Sequence, residues 1–193
     1  MSLDPILTAA HELERFCASQ GWRFCFIGGI AVQRWGEPRF TADADLTLLT
    51  GFGREESYVD PLCAEFRKRR EDAREFALRH RVLLLEADNG IPLDVALGAV
   101  PFEEKSVDRA SPFLVGEGCT ITTCSAEDLL VHKVVASREK DWLDIEGILA
   151  RQWGRLDLKQ FESEARPLLE LKEDAGAWLR FQALRAKLQR ELD

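Results

Sequence analysis

The chain has 193 residues, 46% hydrophobic and 31% charged, enough for one ordinary core with a helical extension and too apolar for a disordered segment. Its net charge of −8 excludes a protein that lives on non-specific nucleic-acid binding, so any such contact must be local, and the acidic balance mainly favours solubility. No apolar run approaches the ~20 residues that span a bilayer, Met1-Ser2-Leu3-Asp4-Pro5 carries no signal pattern, and Cys17, Cys25, Cys63, Cys119 and Cys124 form no Cys-x-x-Cys pair, which reads as a cytoplasmic protein with small buried cysteines and no membrane partner.

Asp4 before Pro5 is a helix N-cap with proline at the first helical position. Ile6, Leu7, Ala10, Leu13 and Phe16 then recur at helical spacing up to Gly21. Residues 22–27 read as a strand, more apolar than alternating and therefore central. It feeds Gly28-Gly29 and a short helix over 30–35, which Gly36 and Pro38 end. A second strand is expected over 41–49. Arg39, Thr41, Asp43 and Asp45 alternate along this extended segment, and residues two apart on a strand share a face. Asp43 and Asp45 then present two carboxylates side by side. A hard divalent cation, Mg²⁺ or Mn²⁺, relieves their repulsion because it prefers oxygen ligands; two acidic residues in a turn is the plainer alternative. Gly28 and Gly29 stand where a phosphate needs close backbone approach at a helix N-terminus.

Residues 61–80 read as one amphipathic helix. Its apolar stripe is Leu62, Phe66, Ala73, Phe76 and Ala77, with Arg67, Lys68, Arg69, Arg70, Arg74 and Arg79 among acidic residues on the rest. Ion pairing along a solvated face accounts for these charges, and a basic ridge against nucleic-acid phosphate is the sharper alternative. Residues 81–87 are a third strand, Asp88-Asn89-Gly90 a hairpin turn, and 91–97 the returning strand. Asp94 sits in that apolar run, where a lone carboxylate is costly to bury, so it needs a partner such as a metal. Residues 101–109 are loop or short helix. A second hairpin is expected from 113–115 and 119–123 around Gly116-Glu117-Gly118. Ser125 opens a helix with Glu127 and Asp128 in its first turn, and helices over 141–153, 157–171 and 174–192 follow. Lys133 shares a helical face with Leu129, Leu130, Val134 and Ser137. Such a lysine either meets an anion (a nucleotide triphosphate, Asp94 or Asp141) or snorkels to water. His11, His80 and His132 lack ligand-like spacing, so no zinc is assigned.

The element order implies an α/β (α+β) fold: a mixed β-sheet with flanking helices, then a C-terminal helical portion. The expected division is a core over 1–123, N-terminal helix included, and a helical portion over 124–193 packed on it. Asp43, Asp45 and Asp94 converge if their strands are neighbours. Three carboxylates with a glycine turn for phosphate are the equipment of two-metal phosphoryl or nucleotidyl transfer. No Gly-x-x-x-x-Gly-Lys-Ser/Thr or Gly-x-Ser-x-Gly motif is present.

Gly28-Gly29, the spacer to Asp43-Ala44-Asp45, and Leu93-Asp94-Val95 resemble the DNA polymerase β-type nucleotidyltransferase superfamily. Within it, Arg39-Phe40-Thr41-Ala42-Asp43-Ala44-Asp45 is similar to the Arg-x-Thr-x-Asp-x-Asp pattern of the AbiEii/AbiGii-type toxin nucleotidyltransferases. Residues 125–133, ending in His132-Lys133, and 138–145, with Asp141 and Asp144, resemble that family's helical motif. The resemblance implies the nucleotidyltransferase-type fold and a metal-dependent transfer of a nucleoside monophosphate to a hydroxyl. Asp43 and Asp45 would bind Mg²⁺, and Asp94 would complete the site and help deprotonate the acceptor. Gly28 and Gly29 would admit the triphosphate, and Lys133 with Arg39 would offset its charge. The implied partners are an NTP, an acceptor (tRNA or other RNA, a protein or a small molecule) and a cognate antitoxin. Two features depart from the superfamily pattern. Gly28-Gly29 replaces the common Gly-Ser, leaving backbone N–H groups or Thr41 to contact phosphate, and Ala44 and Leu46 replace bulkier β-branched residues. Two rival functions share this pattern: a nucleotidyltransferase-like binder without catalysis, and an antibiotic-modifying nucleotidyltransferase.

Overall fold

A computed structural model describes residues 4–116 and 118–192. Met1, Ser2 and Leu3 of the N-terminal stretch, Glu117 of the second expected turn, and Asp193 lie outside the described residues. The chain divides into two compact units, Met1–Ile30 with Phe40–Cys124, and Ala31–Arg39 with Ser125–Asp193.

The first unit contains α1 (Pro5–Ser19), β1 (Phe24–Phe26), the start of α2 (Gly28–Trp35), β2 (Ala44–Leu49), α3 (Glu56–Glu65), β3 (Arg67–Lys68), α4 (Ala73–His80), β4 (Val82–Glu86), β5 (Pro92–Gly98), α5 (Pro101–Asp108), β6 (Ser111–Gly116) and β7 (Cys119–Thr123). Among the described residues these strands form one mixed seven-stranded sheet in the order β3-β4-β5-β2-β1-β7-β6. Central β2 runs antiparallel to β1 and parallel to β5. Asp4 caps α1 by accepting the Ile6 N–H at 3.1 Å. The buried stripe of α1, including Ile6, Ala10, Leu13 and Cys17, joins Leu46, Leu48, Leu83, Leu85, Leu93 and Val95 in one core. Alternation along β4 and β5 decides where Asp94 goes. Leu83, Leu85, Leu93 and Val95 are buried, whereas Leu84, Glu86, Asp94 and Ala96 lie on the opposite, half-buried face.

Two expectations are corrected here. The single helix over 61–80 is instead α3 and α4, separated by β3. Phe66 leaves the helix with extended backbone (φ −106°, ψ 151°) and is buried with its ring 5.6 Å from that of Phe16. Arg67 and Lys68 then pair with Glu86 and Leu85. Continuing the apolar stripe past Phe66 needs an apolar residue at 69 or 70. Arginines stand at both, so no helical face is held to the core there. The charges instead line a sheet edge, where they oppose pairing with another chain. The second strand, expected from residue 41, begins at Ala44, so Asp43 lies in the irregular stretch leading into it.

The second unit holds the rest of α2 and the segment to Arg39, with α6 (Ala126–Ala136), α7 (Glu139–Arg151), α8 (Leu158–Leu171) and α9 (Ala175–Leu192). Ser125 caps α6 by accepting the Asp128 N–H at 3.1 Å, and Asp157 caps α8. Leu129, Leu130, Val134, Ile145 and Ile148 are buried, and the buried rings of Phe161 and Phe181 lie 4.5 Å apart. Among the described residues no helix is long and apolar enough to cross a membrane.

Candidate active site

The β2–β5 register sets Asp45 directly opposite Asp94. Directly opposed residues point to the same side of a sheet, so both carboxylates emerge on the half-buried face. Asp43, two residues upstream, joins them. Ligand oxygens of Asp43, Asp45 and Asp94 all lie within 4.8 Å of one another. The buried Thr41 hydroxyl lies 3.3 Å from both the Asp43 carbonyl and Asp43 Oδ1 and donates to this residue, holding the irregular stretch in place.

The glycine pair packs onto these same side chains. Gly28 has φ +58°, and a Cβ there would overlap Asp45 Oδ2. A Cβ at Gly29 would overlap Thr41 Oγ1. This explains the departure from Gly-Ser: Thr41 fills the space that a serine side chain at 29 would need. Carboxylate oxygens this close fit a hard divalent cation, and the cluster contains no sulfur or nitrogen ligand that would favour a softer one. Burial pushes the Asp94 carboxyl above the usual range, the nearby Arg69 guanidinium pulls it back, and the Asp43 charge adds to the rise.

Arg39 and Lys133 meet elsewhere in the chain, within the second unit. The Lys133 ammonium, 4% exposed, donates to Asp144 Oδ2 at 2.7 Å and to Asp141 Oδ1 at 3.1 Å. Arg39 grips Asp144 with two parallel bonds of 2.7 and 2.8 Å. Arg138 Nε donates to Asp141 Oδ2 at 2.7 Å. Burial acts to raise the Asp141 and Asp144 carboxyls, but hydrogen bonds and charge outweigh it. Those from Arg138 and Lys133 hold Asp141 below its usual range, and those from Arg39 and Lys133 do the same for Asp144.

The sequence profile of the family described as "Nucleotidyl transferase AbiEii toxin, Type IV TA system" matches residues 13–191. The chain belongs to the AbiEii nucleotidyltransferase family. Similar solved structures agree on the fold. An antigenic nucleotidyltransferase-like protein from Paracoccidioides brasiliensis aligns with TM-score 0.52 and 15% identity, over 95% of this chain and 94% of its own. The lincosamide antibiotic adenylyltransferase LnuA, solved with lincomycin bound, aligns with TM-score 0.51 and 13% identity, over 77% of this chain and 98% of its own. No curated protein matches the sequence.

In this AbiEii-family chain, then, Asp43, Asp45, Asp94, Gly28, Gly29 and Thr41 come together in one unit, and Arg39 and Lys133 share Asp144 in the other. The reading of 61–80 as one helix hid Arg69, which donates to Asp94 Oδ1. The legible signal was the missing apolar residue at 69 or 70, which breaks the helical stripe.

Proposed function

We propose that this chain is a metal-dependent nucleotidyltransferase of the cytoplasm. It would move a nucleoside monophosphate from an NTP to a hydroxyl acceptor, with tRNA as the first acceptor to test, and act as the toxin of a toxin–antitoxin pair. The observation that carries this reading is the convergence of Asp43, Asp45 and Asp94 beside the Gly28-Gly29 turn. Held by these three carboxylates, Mg²⁺ or Mn²⁺ supplies Lewis-acid polarisation and offsets phosphate charge. The chain's own residues do the rest. Backbone N–H groups at the start of α2 bind triphosphate oxygens, which Gly28 and Gly29 allow to approach. Thr41 holds Asp43 in place. The acceptor oxygen bonds to the α-phosphorus as the bond to pyrophosphate breaks, and its proton passes to Asp94, the carboxylate set opposite Asp45 by the strand register. Lys133 and Arg39 are assigned positioning roles instead of phosphate contacts. Lys133 commits two of its three donors to Asp141 and Asp144, and Arg39 commits its fork to Asp144.

The test incubates the purified protein with each labelled NTP and Mg²⁺, against tRNA, against itself, and against lincosamide and aminoglycoside antibiotics. Label is expected on tRNA, with none from Asp45→Asn. Induced expression of the parent chain should arrest growth and that of Asp45→Asn should not. Transfer to an antibiotic alone replaces the toxin reading with a resistance enzyme. No transfer to any acceptor, with no metal-dependent nucleotide binding, leaves a nucleotidyltransferase-like binder.

A further inference from the structure

The sheet register carries a fourth charged side chain into the carboxylate cluster. β3 and β4 pair Arg67 with Glu86 and Lys68 with Leu85. The next N–H, that of Arg69, continues the ladder by donating to the Leu84 carbonyl at 3.1 Å. Leu84 lies opposite Asp94, and Asp94 opposite Asp45. Residues opposed in this way share a face, so Arg69, Leu84, Asp94 and Asp45 form one row across the sheet. The long Arg69 side chain reaches over Leu84, and its Nη2 donates to Asp94 Oδ1. Both side chains keep about a quarter of their surface in solvent, 27% for Arg69 and 29% for Asp94. A divalent cation can therefore reach the carboxylate, and the guanidinium has room to leave.

Arg69 thus sets a positive charge against one of three mutually repelling carboxylates. An entering divalent cation meets the same carboxylate and the same charge. We propose that Arg69 is a built-in counter-ion for the triad, which occupies Asp94 in the metal-free protein, is released when a divalent cation binds, and thereby sets the metal affinity of the site. This deepens the metal-dependent nucleotidyltransferase reading and rests on it. Arg69 is a positioning residue, acting on the site through Asp94. If its contact only closed the sheet edge, removing it would leave metal affinity unchanged or lower it by disordering Asp94.

The experiment measures Mn²⁺ binding to the full chain without nucleotide, by electron paramagnetic resonance and calorimetry. It compares the parent, Arg69→Met, Arg69→Lys and Asp43→Asn. Arg69→Met should bind Mn²⁺ about two- to fivefold more tightly, the range that follows from losing one partly exposed ion pair. Arg69→Lys, which keeps the charge, should stay near the parent, and Asp43→Asn should bind weakly. Melting curves check that each variant is folded. A second measurement needs only the folded parent: the Arg69 side-chain Nε–H resonance, assigned by its loss in Arg69→Lys, should shift on adding Mg²⁺ and stay still in Asp43→Asn. If Arg69→Met binds no more tightly and the resonance does not move while Asp43→Asn still weakens binding, the counter-ion proposal falls and the metal site stands. If neither the parent nor Arg69→Met binds Mn²⁺ at millimolar concentration, the metal reading falls with it.

Discussion

Each unit gathers aspartates and cations, with opposite consequences. In the second, Lys133 lies between Asp141 and Asp144, which Arg138 and Arg39 also hold. These three inner groups are almost fully buried, and both carboxyls end below their usual range. In the first, three half-buried carboxylates face one another, Arg69 meets Asp94, and the Asp94 carboxyl is raised. Opposite charges satisfied in the interior tie helices together, and removing one leaves another stranded. Like charges kept together and partly open are poised to take up a cation. Lys133 and Asp43 thus do different physical work.

The sharpest way to break this contrast is to neutralise one member of each cluster. Asp45→Asn should reduce nucleotidyl transfer by about a thousandfold, the loss expected when several kcal/mol of transition-state charge stabilisation is removed. Label-transfer rates measure it. Asp43→Asn should leave stability within about 1 kcal/mol of the parent or raise it slightly, because it relieves like-charge repulsion. Lys133→Met should instead cost about 1.5–3 kcal/mol in urea unfolding, because it removes the buried bonds from Lys133 to Asp141 and Asp144 and leaves each carboxylate to its arginine alone. Equal stability of Asp43→Asn and Lys133→Met would erase the distinction between the clusters.

Acid should act on the second unit in two stages. Burial, reinforced by the Lys133 charge, lowers the His132 imidazole from 6.5 to about 4. The unfolded chain then takes up the proton first, so the stability that neutral His132 supports is complete above pH 6.5. It is lost as pH falls towards about 4, to a total of about 3 kcal/mol. Asp141 and Asp144 are lowered from 3.8, so their contribution is complete above that pH and is lost only below it. Urea midpoints at pH 7, 5 and 4 for the parent and His132→Leu should show the first stage flattened in the variant.

A further effect, outside both charge clusters, lies at the glycine pair. Gly29→Ser restores the superfamily's common dipeptide, yet it should destabilise by about 1–3 kcal/mol because Thr41 occupies the space. In a Thr41→Gly background the same substitution should cost much less, and the double-mutant cycle measures the coupling.

Much of the fold was legible because its signals are local. Asp4-Pro5, Ser125 and Asp157 mark helix starts through side-chain caps, Asn89-Gly90 marks the hairpin, and apolar periodicity marks α1 and the C-terminal helices. Residues 61–80 misled because their composition suits a helix, while burial of Phe66 and pairing of Arg67 and Lys68 with β4 override it. The spacing of Asp43 and Asp45 could also be read directly, as could the oddity of Asp94 in an apolar run.

Which carboxylates, glycines and cations exist, and the local elements that carry most of them, follow from the amino-acid order. Tertiary structure alone decided their company. The parallel pairing of β2 with β5 put Asp45 opposite Asp94, and the break before β3 delivered Arg69 to that row. Helix packing, in turn, gave Lys133 to Asp141 and Asp144. Local periodicity says which face a side chain takes, whereas strand order and register are set by packing among residues far apart in the chain. That is why the Gly28-Gly29 turn and Asp43-Ala44-Asp45 can be read from the sequence, and their counter-ion cannot.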